Sequence, residues 1–292
     1  MPLNSARSAR FVSSGNLWHD IPSHASARPH SGYSRRVLLS HRDEGTGPAV
    51  VLLHSGVTDA SAWDRQAEAL ARSYRVIRPD LRGFGETPLP HEPFTNVGDV
   101  LDLLDHLGVT ACHVVGSSMG GQVALELAVS RPDQVASLIL LCPAFAGVDA
   151  TPEVQAFGAQ ESALLEAGTL DEAVELNIET WLGPHASADA RDLVRRTQRH
   201  AFEVQLAADA DPTFPWPEPA AVEPAEISAP TLVVSGDHDL EHFRSVARHL
   251  ASTIPNAQLV TLPWAGHLPA LERPQETTEL VLEFLRAQSM RD

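Results

Sequence analysis

Five residues, Gly116-Ser117-Ser118-Met119-Gly120, read G-x-S-x-G. A serine hydroxyl is a poor nucleophile at neutral pH. It reacts where a base takes its proton and a third group holds that base in one tautomer. Candidates for both partners lie downstream. Six histidines follow Ser118, and only His267 combines a small residue before it, Gly266, with a loop after an apolar run, Gln258–Leu262. His200 and His249 fall inside expected helices and read as surface residues. A second apolar run, Thr231–Ser235, leads into Gly236-Asp237-His238-Asp239. Both aspartates stand where an orienting carboxylate belongs, and spacing does not choose between them. The unused one shapes the turn, a normal role for aspartate. His238 and His242 beside the two aspartates also suggest a metal cluster, but a triad already explains this loop and no metal is expected.

These residues need elements that bring them together. Ala111–Val115 is an apolar run before the serine motif, and Gly121–Val129 suits a helix after it. Strand, sharp turn and helix make a nucleophile elbow, in which the serine is strained and its neighbours must be small. The same alternation runs along most of the chain. Strands are expected at Val37–Ser40, Ala49–Leu53, Tyr74–Arg78, Val135–Leu141, Thr231–Ser235 and Gln258–Leu262. Helices are expected at Trp63–Arg72 with Ser61 as N-cap, Val97–Leu107, Phe243–Leu250 and Pro274–Ala287. Apolar strands alternating with amphipathic helices imply a mostly parallel, doubly wound α/β sheet, whose reactive groups sit at the carboxyl ends of strands. The alternation lapses over 144–226, where Leu170–Trp181 and Ala190–Leu206 read as helices, so that stretch is expected to be an insertion. Residues 1–32 are rich in Ser, Arg, His and Pro, with Asp20 as the only acid. They read as an N-terminal arm, with Phe11, Leu17 and Trp18 as possible anchors.

Composition removes other chemistries. The 292 residues include 21 basic ones, every one an arginine. Without lysine there is no Schiff base, no pyridoxal phosphate anchor and no P-loop cation. No G-x-G-x-x-G follows a strand, so a dinucleotide fingerprint is absent as well. Cys112 and Cys142 are too few for a disulfide framework and read as buried core residues of a protein in a reducing compartment, the cytoplasm. Net charge is −17, and residues 143–230 alone hold 16 acids against 4 bases. The stretch reads as a solvated acidic surface, and a field of that sign repels nucleic acid and anionic membranes and favours neutral or cationic substrates over polyanions. No run of 18 apolar residues is present to span a bilayer.

Together, LLHSG (Leu52–Gly56), RPDLRGFGET (Arg78–Thr87), GSSMGG (Gly116–Gly121), SGDHD (Ser235–Asp239) and GH (Gly266-His267) resemble the α/β-hydrolase fold superfamily, in its serine-nucleophile branch with a helical cap. The motifs arrive in that family's order, Ser, Asp, His, over roughly residues 35–287. The resemblance implies a core of residues 33–143 and 227–292 and a cap or lid of 144–226. It points to Asp239, three residues after the strand-end glycine, over Asp237. It implies an oxyanion hole built from the N–H groups of Met119 and Gly56. The family's His-Gly-x reads His54-Ser55-Gly56 here, so Val57 is the other candidate donor. The segment Asp80–Gly85 is structural in such proteins and is given no chemistry. Relatives with an aspartate at the elbow, haloalkane dehalogenases and epoxide hydrolases, are excluded by Ser118. Hydrolysis of a small carboxylic ester or lactone, with no cofactor or metal, is the activity expected. Carbon–carbon hydrolysis, perhydrolysis or a lyase or cyclase step on the same triad is the alternative, and a non-enzymatic small-molecule receptor a second. Val57, Phe157, Trp181 and Trp216 are candidate pocket residues.

Overall fold

The continuous apolar runs fold as strands covered on both faces. A computed structural model describes residues 37–289, so the expected arm at 1–32 and its anchors lie outside the described residues. In chain order the elements are β1 (His41–Glu44), β2 (Ala49–Leu53), α1 (Asp64–Leu70), β3 (Arg75–Pro79), α2 (Asn96–His106), β4 (Cys112–Ser117), α3 (Met119–Ser130), β5 (Val135–Leu141), α4 (Pro152–Glu166), α5 (Leu170–Trp181), α6 (Ala188–Asp209), β6 (Thr231–Gly236), α7 (Glu241–Thr253), β7 (Ala257–Leu262), α8 (Pro269–Glu272) and α9 (Pro274–Ser289). The strands form one sheet in the order β1-β3-β2-β4-β5-β6-β7. β1 is antiparallel to β3, and the other pairs are parallel.

Successive side chains of a strand point to opposite faces, and here both faces are apolar. Val51, Leu53, Val114, Leu138 and Leu140 meet Val100, Leu104, Val123, Leu127, Val246 and Leu250 of α2, α3 and α7. Val50, Leu52, Val115, Ile139 and Leu141 meet Ala67, Leu70, Val281 and Leu285 of α1 and α9. Helices α4, α5 and α6 are inserted between β5 and β6. Their residues Val154, Phe157, Val174, Ile178, Trp181 and Phe202 form a third apolar cluster, which Val57, Phe243 and Leu268 join from the main body. Among the described residues no helix is long and apolar enough to cross a membrane.

Several local expectations shift. The first strand is His41–Glu44, not Val37–Ser40. Its sequence HRDE carries no apolar signal because it is a mostly exposed edge strand. The helix expected at Trp63–Arg72 begins as a 3-10 turn at Ala60–Trp63, capped by Asp59, whose side chain accepts the N–H of Ser61. Ser61 is therefore the residue being capped, not the cap. Helix α3 starts two residues earlier than expected, directly after Ser118. Gly120 and Gly121 hide that start, because glycine disfavours helix.

The chain order also makes a crevice. From β2 the chain passes to β3 on one side, then returns with β4 on the other. Leu53 at the end of β2 pairs with Gly116 near the end of β4. The loops that follow these two strands are thus neighbours at a topological switch point, where doubly wound sheets bind ligands.

Candidate active site

Ser118 sits between the end of β4 and the start of α3 with φ +51° and ψ −115°. Such a conformation costs a non-glycine residue on the order of 1–3 kcal/mol and persists where the surroundings impose it. The surroundings are visible. The Ser118 N–H donates to Leu141 O at 3.0 Å, and its carbonyl accepts the N–H groups of Gly121 at 2.8 Å and Ala144 at 3.0 Å. A Cβ on Gly116 would clash with Gly120, and one on Gly120 would run into the carbonyls of Leu53 and His54. Small residues on both sides of the serine are therefore a packing requirement.

His267 follows β7, and Asp239 follows β6. His267 Nε2 lies 2.8 Å from Ser118 Oγ, and His267 Nδ1 lies 2.8 Å from Asp239 Oδ2. A carboxylate only accepts, so Nδ1 carries the proton and Nε2 is left to accept from the serine hydroxyl. The three side chains are buried, with relative exposures of 3% for Ser118, 7% for Asp239 and 1% for His267. The second oxygen of Asp239 accepts the Leu240 N–H at 2.8 Å, which fixes the carboxylate. Asp237 is exposed, and its N–H donates to Leu262 O in the turn. The imidazole also packs against the rings of Phe243, at 4.1 Å between centroids, and Trp181, at 4.8 Å.

The loop after β2 completes the site. Thr58 N–H donates to Ser55 O at 3.2 Å, so Gly56 and Val57 are the central residues of a turn. Among the described residues neither of their own N–H groups donates to another backbone carbonyl. Met119 is the first residue of α3, where backbone donors have no partner within the helix. His54 braces the loop: its Nε2 accepts the Leu81 N–H at 2.9 Å and its Nδ1 donates to Ser55 O at 2.8 Å. Burial lowers its pKa, which suits this neutral tautomer. Asp80 accepts the N–H groups of Ala60 at 2.8 Å and Glu86 at 3.0 Å, holding the Asp80–Gly85 segment as a structural turn.

Of the expected pocket residues, Val57, Phe157 and Trp181 share one cluster. Trp181 packs on Phe157 at 4.7 Å, and its indole N–H donates to Asn177 Oδ1 at 2.8 Å. Trp216 stands apart from that cluster. It lies in the segment returning to β6, where its ring packs on Phe214 at 4.7 Å and its indole meets Asp209. The Pro-rich run around it gave no periodicity from which that placement could be read. Asp237 and His238 face solvent while Asp239 and His242 are buried, so the four do not converge on a common point. Among the described residues one set of possible metal ligands comes together, Cys142, Asp239 and His267. Asp239 and His267 already bond each other, and burial pushes the Cys142 thiol well above its ordinary range, leaving it protonated and a poor ligand. No sequence pattern marks Phe243 or Glu272 as part of the site. Phe243 lies on the buried face of α7, and Glu272 ends a four-residue helix with no period to read.

Known proteins share this architecture. Residues 50–280 match the model of the alpha/beta hydrolase family. A 2-hydroxy-6-oxononadienedioate/2-hydroxy-6-oxononatrienedioate hydrolase from Burkholderia vietnamiensis is 31% identical over 269 residues, covering 85% of this chain and 91% of its own. A pimeloyl-[acyl-carrier protein] methyl ester esterase from Chromobacterium violaceum is 30% identical over 260 residues, covering 84% and 97%. The solved structure of a thermophilic esterase from Thermogutta terrifontis superposes with a TM-score of 0.71 at 31% identity, covering 86% of this chain and 93% of that one. With a mostly parallel sheet wound on both faces and a family match over most of its length, the chain belongs to the alpha/beta hydrolase family and is a hydrolase.

Proposed function

We propose that Ser118, His267 and Asp239 form a catalytic triad that hydrolyses a small-molecule carboxylic ester or lactone through an acyl-enzyme. The observation that carries this reading is the unbroken pair of 2.8 Å contacts from Ser118 Oγ through the imidazole to Asp239. Ser118 Oγ attacks the carbonyl carbon as its proton passes to His267 Nε2. Asp239 holds the ring by Nδ1 and stabilises the imidazolium that forms. The carbonyl electron pair moves onto oxygen, where the N–H groups of Met119 and Gly56 receive it, with Val57 as the alternative to Gly56. One such donor contributes on the order of 3 kcal/mol to the transition state. Collapse breaks the bond to the leaving alkoxide, which takes the proton from Nε2. Water then attacks the acyl-enzyme with His267 as base, releasing the acid and restoring the serine. In a lactone the leaving alcohol stays tethered until that last step.

Residues 144–226, with α4, α5 and α6, serve as the cap in this reading. Trp181 and Phe157 supply an apolar wall above the imidazole, and Val57 carries the wall to the oxyanion loop. The methyl ester esterase among the relatives favours an ester. The dienedioate hydrolase supports a second reading, in which the same triad cleaves a hydroxy-oxo-dienedioate. The choice between them is a rate comparison on the two substrate types. The nucleophile is tested by Ser118→Ala, which lowers turnover of an activated short-chain ester by about four to six orders of magnitude. A variant that keeps the wild-type rate removes Ser118 from the chemistry.

A further inference from the structure

The loop that carries His267 is held by a carboxylate outside the triad. Glu272, at the end of α8, is buried. Its Oε2 accepts the Gly266 N–H at 2.9 Å, and its Oε1 accepts the N–H groups of Gly266 and Leu268, both at 3.1 Å. The amides on either side of His267 thus end on one side chain. The amide between them, that of His267, donates to Trp181 O at 3.0 Å. The Gly183 amide, just beyond α5, also donates to Glu272. Space is as tight as the bonding. A Cβ on Gly183 would clash with the Glu272 carboxylate and lie 2.9 Å from Gly266 N, and a Cβ on Gly236 would clash with Gly266 O. The His267 loop is wedged between the end of β6 and the end of α5, with Glu272 closing the third side.

An ionised carboxylate suits this place because it only accepts, and every neighbour named here donates. Burial pushes the Glu272 carboxyl above its ordinary range, although the amides of Gly266, Leu268 and Gly183 and the nearby His267 pull it part of the way back. A carboxylate bonded to both flanking amides constrains where the ring between them points.

We propose that Glu272 is a positioning residue: through the backbone of Gly266 and Leu268 it keeps the His267 imidazole on the line between Ser118 and Asp239. Through Gly183 it ties that alignment to the seating of the inserted helices. The proposal rests on the triad reading above. Glu272→Gln keeps the size but turns an NH2 group toward amide donors. Gly183→Ala displaces the carboxylate from the other side.

The test compares both variants with the unaltered protein in kcat and KM on an activated short-chain ester, in the low-field proton NMR signal of His267 Nδ1–H, and in thermal midpoint. In Glu272→Gln, kcat falls about 10- to 100-fold, KM stays within about twofold, and the imidazole signal shifts or broadens. Gly183→Ala moves the same quantities in the same direction, and it decides the matter if Glu272→Gln does not fold. A lower thermal midpoint with kcat and the signal unchanged overturns the proposal and leaves Glu272 a brace. Absence of ester turnover in the unaltered protein counts against the triad reading, and the imidazole signal still decides the role of Glu272.

Discussion

The strand ends and the inserted helices bury polar groups in different ways. At the strand ends Asp239, His267 and Ser118 bond one another and the turns that carry them. The strands behind these turns are fixed by apolar packing on both faces. In the insertion, Glu161 is buried inside a helical cluster, where Asn177 Nδ2 donates to it at 2.6 Å and Asn177 Oδ1 accepts from Trp181. Burial pushes the Glu161 carboxyl up to about 7 despite the Asn177 bond. The first region brings the proposed triad together at the ends of packed strands. The second supports the ring that packs on His267, with a carboxylate that changes charge near neutral pH.

If that contrast is right, the largest loss comes from the strand ends. Asp239→Asn leaves the shape but favours the wrong imidazole tautomer, and kcat falls about 10,000-fold. Asp237→Asn, two residues away and exposed, changes kcat less than about twofold. Equal losses from both would erase the distinction between them, and steady-state kinetics on one activated ester measures it.

The next effect comes from the insertion. Trp181 is fully buried against Phe157, Phe243 and His267. Trp181→Ala destabilises the fold by about 3–5 kcal/mol in urea titrations. A loss below about 1 kcal/mol would mean that the ring is not part of a packed core.

The smallest effect is one of pH. The Glu161 carboxyl stands at about 7 in the fold against 4.5 when unperturbed. Below pH 4.5 both folded and unfolded chains hold the proton, and the group's contribution is fully present. As pH rises toward 7 the unfolded chain ionises first, so stability falls, by about 3 kcal/mol at most. Glu126 on α3 behaves alike: burial raises it to about 7 while it accepts from Gln122 and Ala220. These two carboxyls therefore favour the fold more at pH 5 than at pH 8, while His54 and His242, whose pKa values burial lowers, act in the opposite sense. Glu161→Gln keeps an acceptor for Asn177, leaves the urea midpoint at pH 5 little changed and raises it at pH 8. A midpoint that falls at both values would show that the carboxyl proton does not matter.

The same contrast explains what the residues reveal on inspection. Ser118 is legible because a strained turn demands glycine at 116 and 120, and His267 because it stands behind a small residue on the loop after a strand. Each constraint is local in sequence. Asp239 against Asp237 is not decided by spacing, because burial of one and exposure of the other depends on how the turn after β6 meets the loop after β7. β1 escapes notice because HRDE pairs by backbone at an exposed edge. Helix α4 has little apolar asymmetry around its axis, since Val154 and Phe157 share its buried side with Gly158 and Glu161. Trp216 packs on Phe214 rather than with Trp181 and Phe157, and aromatic character alone does not say which cluster a ring joins. Glu272 is invisible for a related reason: its partners are backbone amides, which no side-chain pattern marks.

One measurement bears directly on whether the oxygen of Ser118 is made reactive by its neighbours. The protein is treated with a fluorophosphonate, its intact mass is recorded, and the adduct is mapped by peptide sequencing. One adduct per chain, on Ser118, lost in Ser118→Ala and formed far more slowly in His267→Ala, is the result expected. An unmodified protein, or an adduct at another residue with Ser118 untouched, contradicts the account.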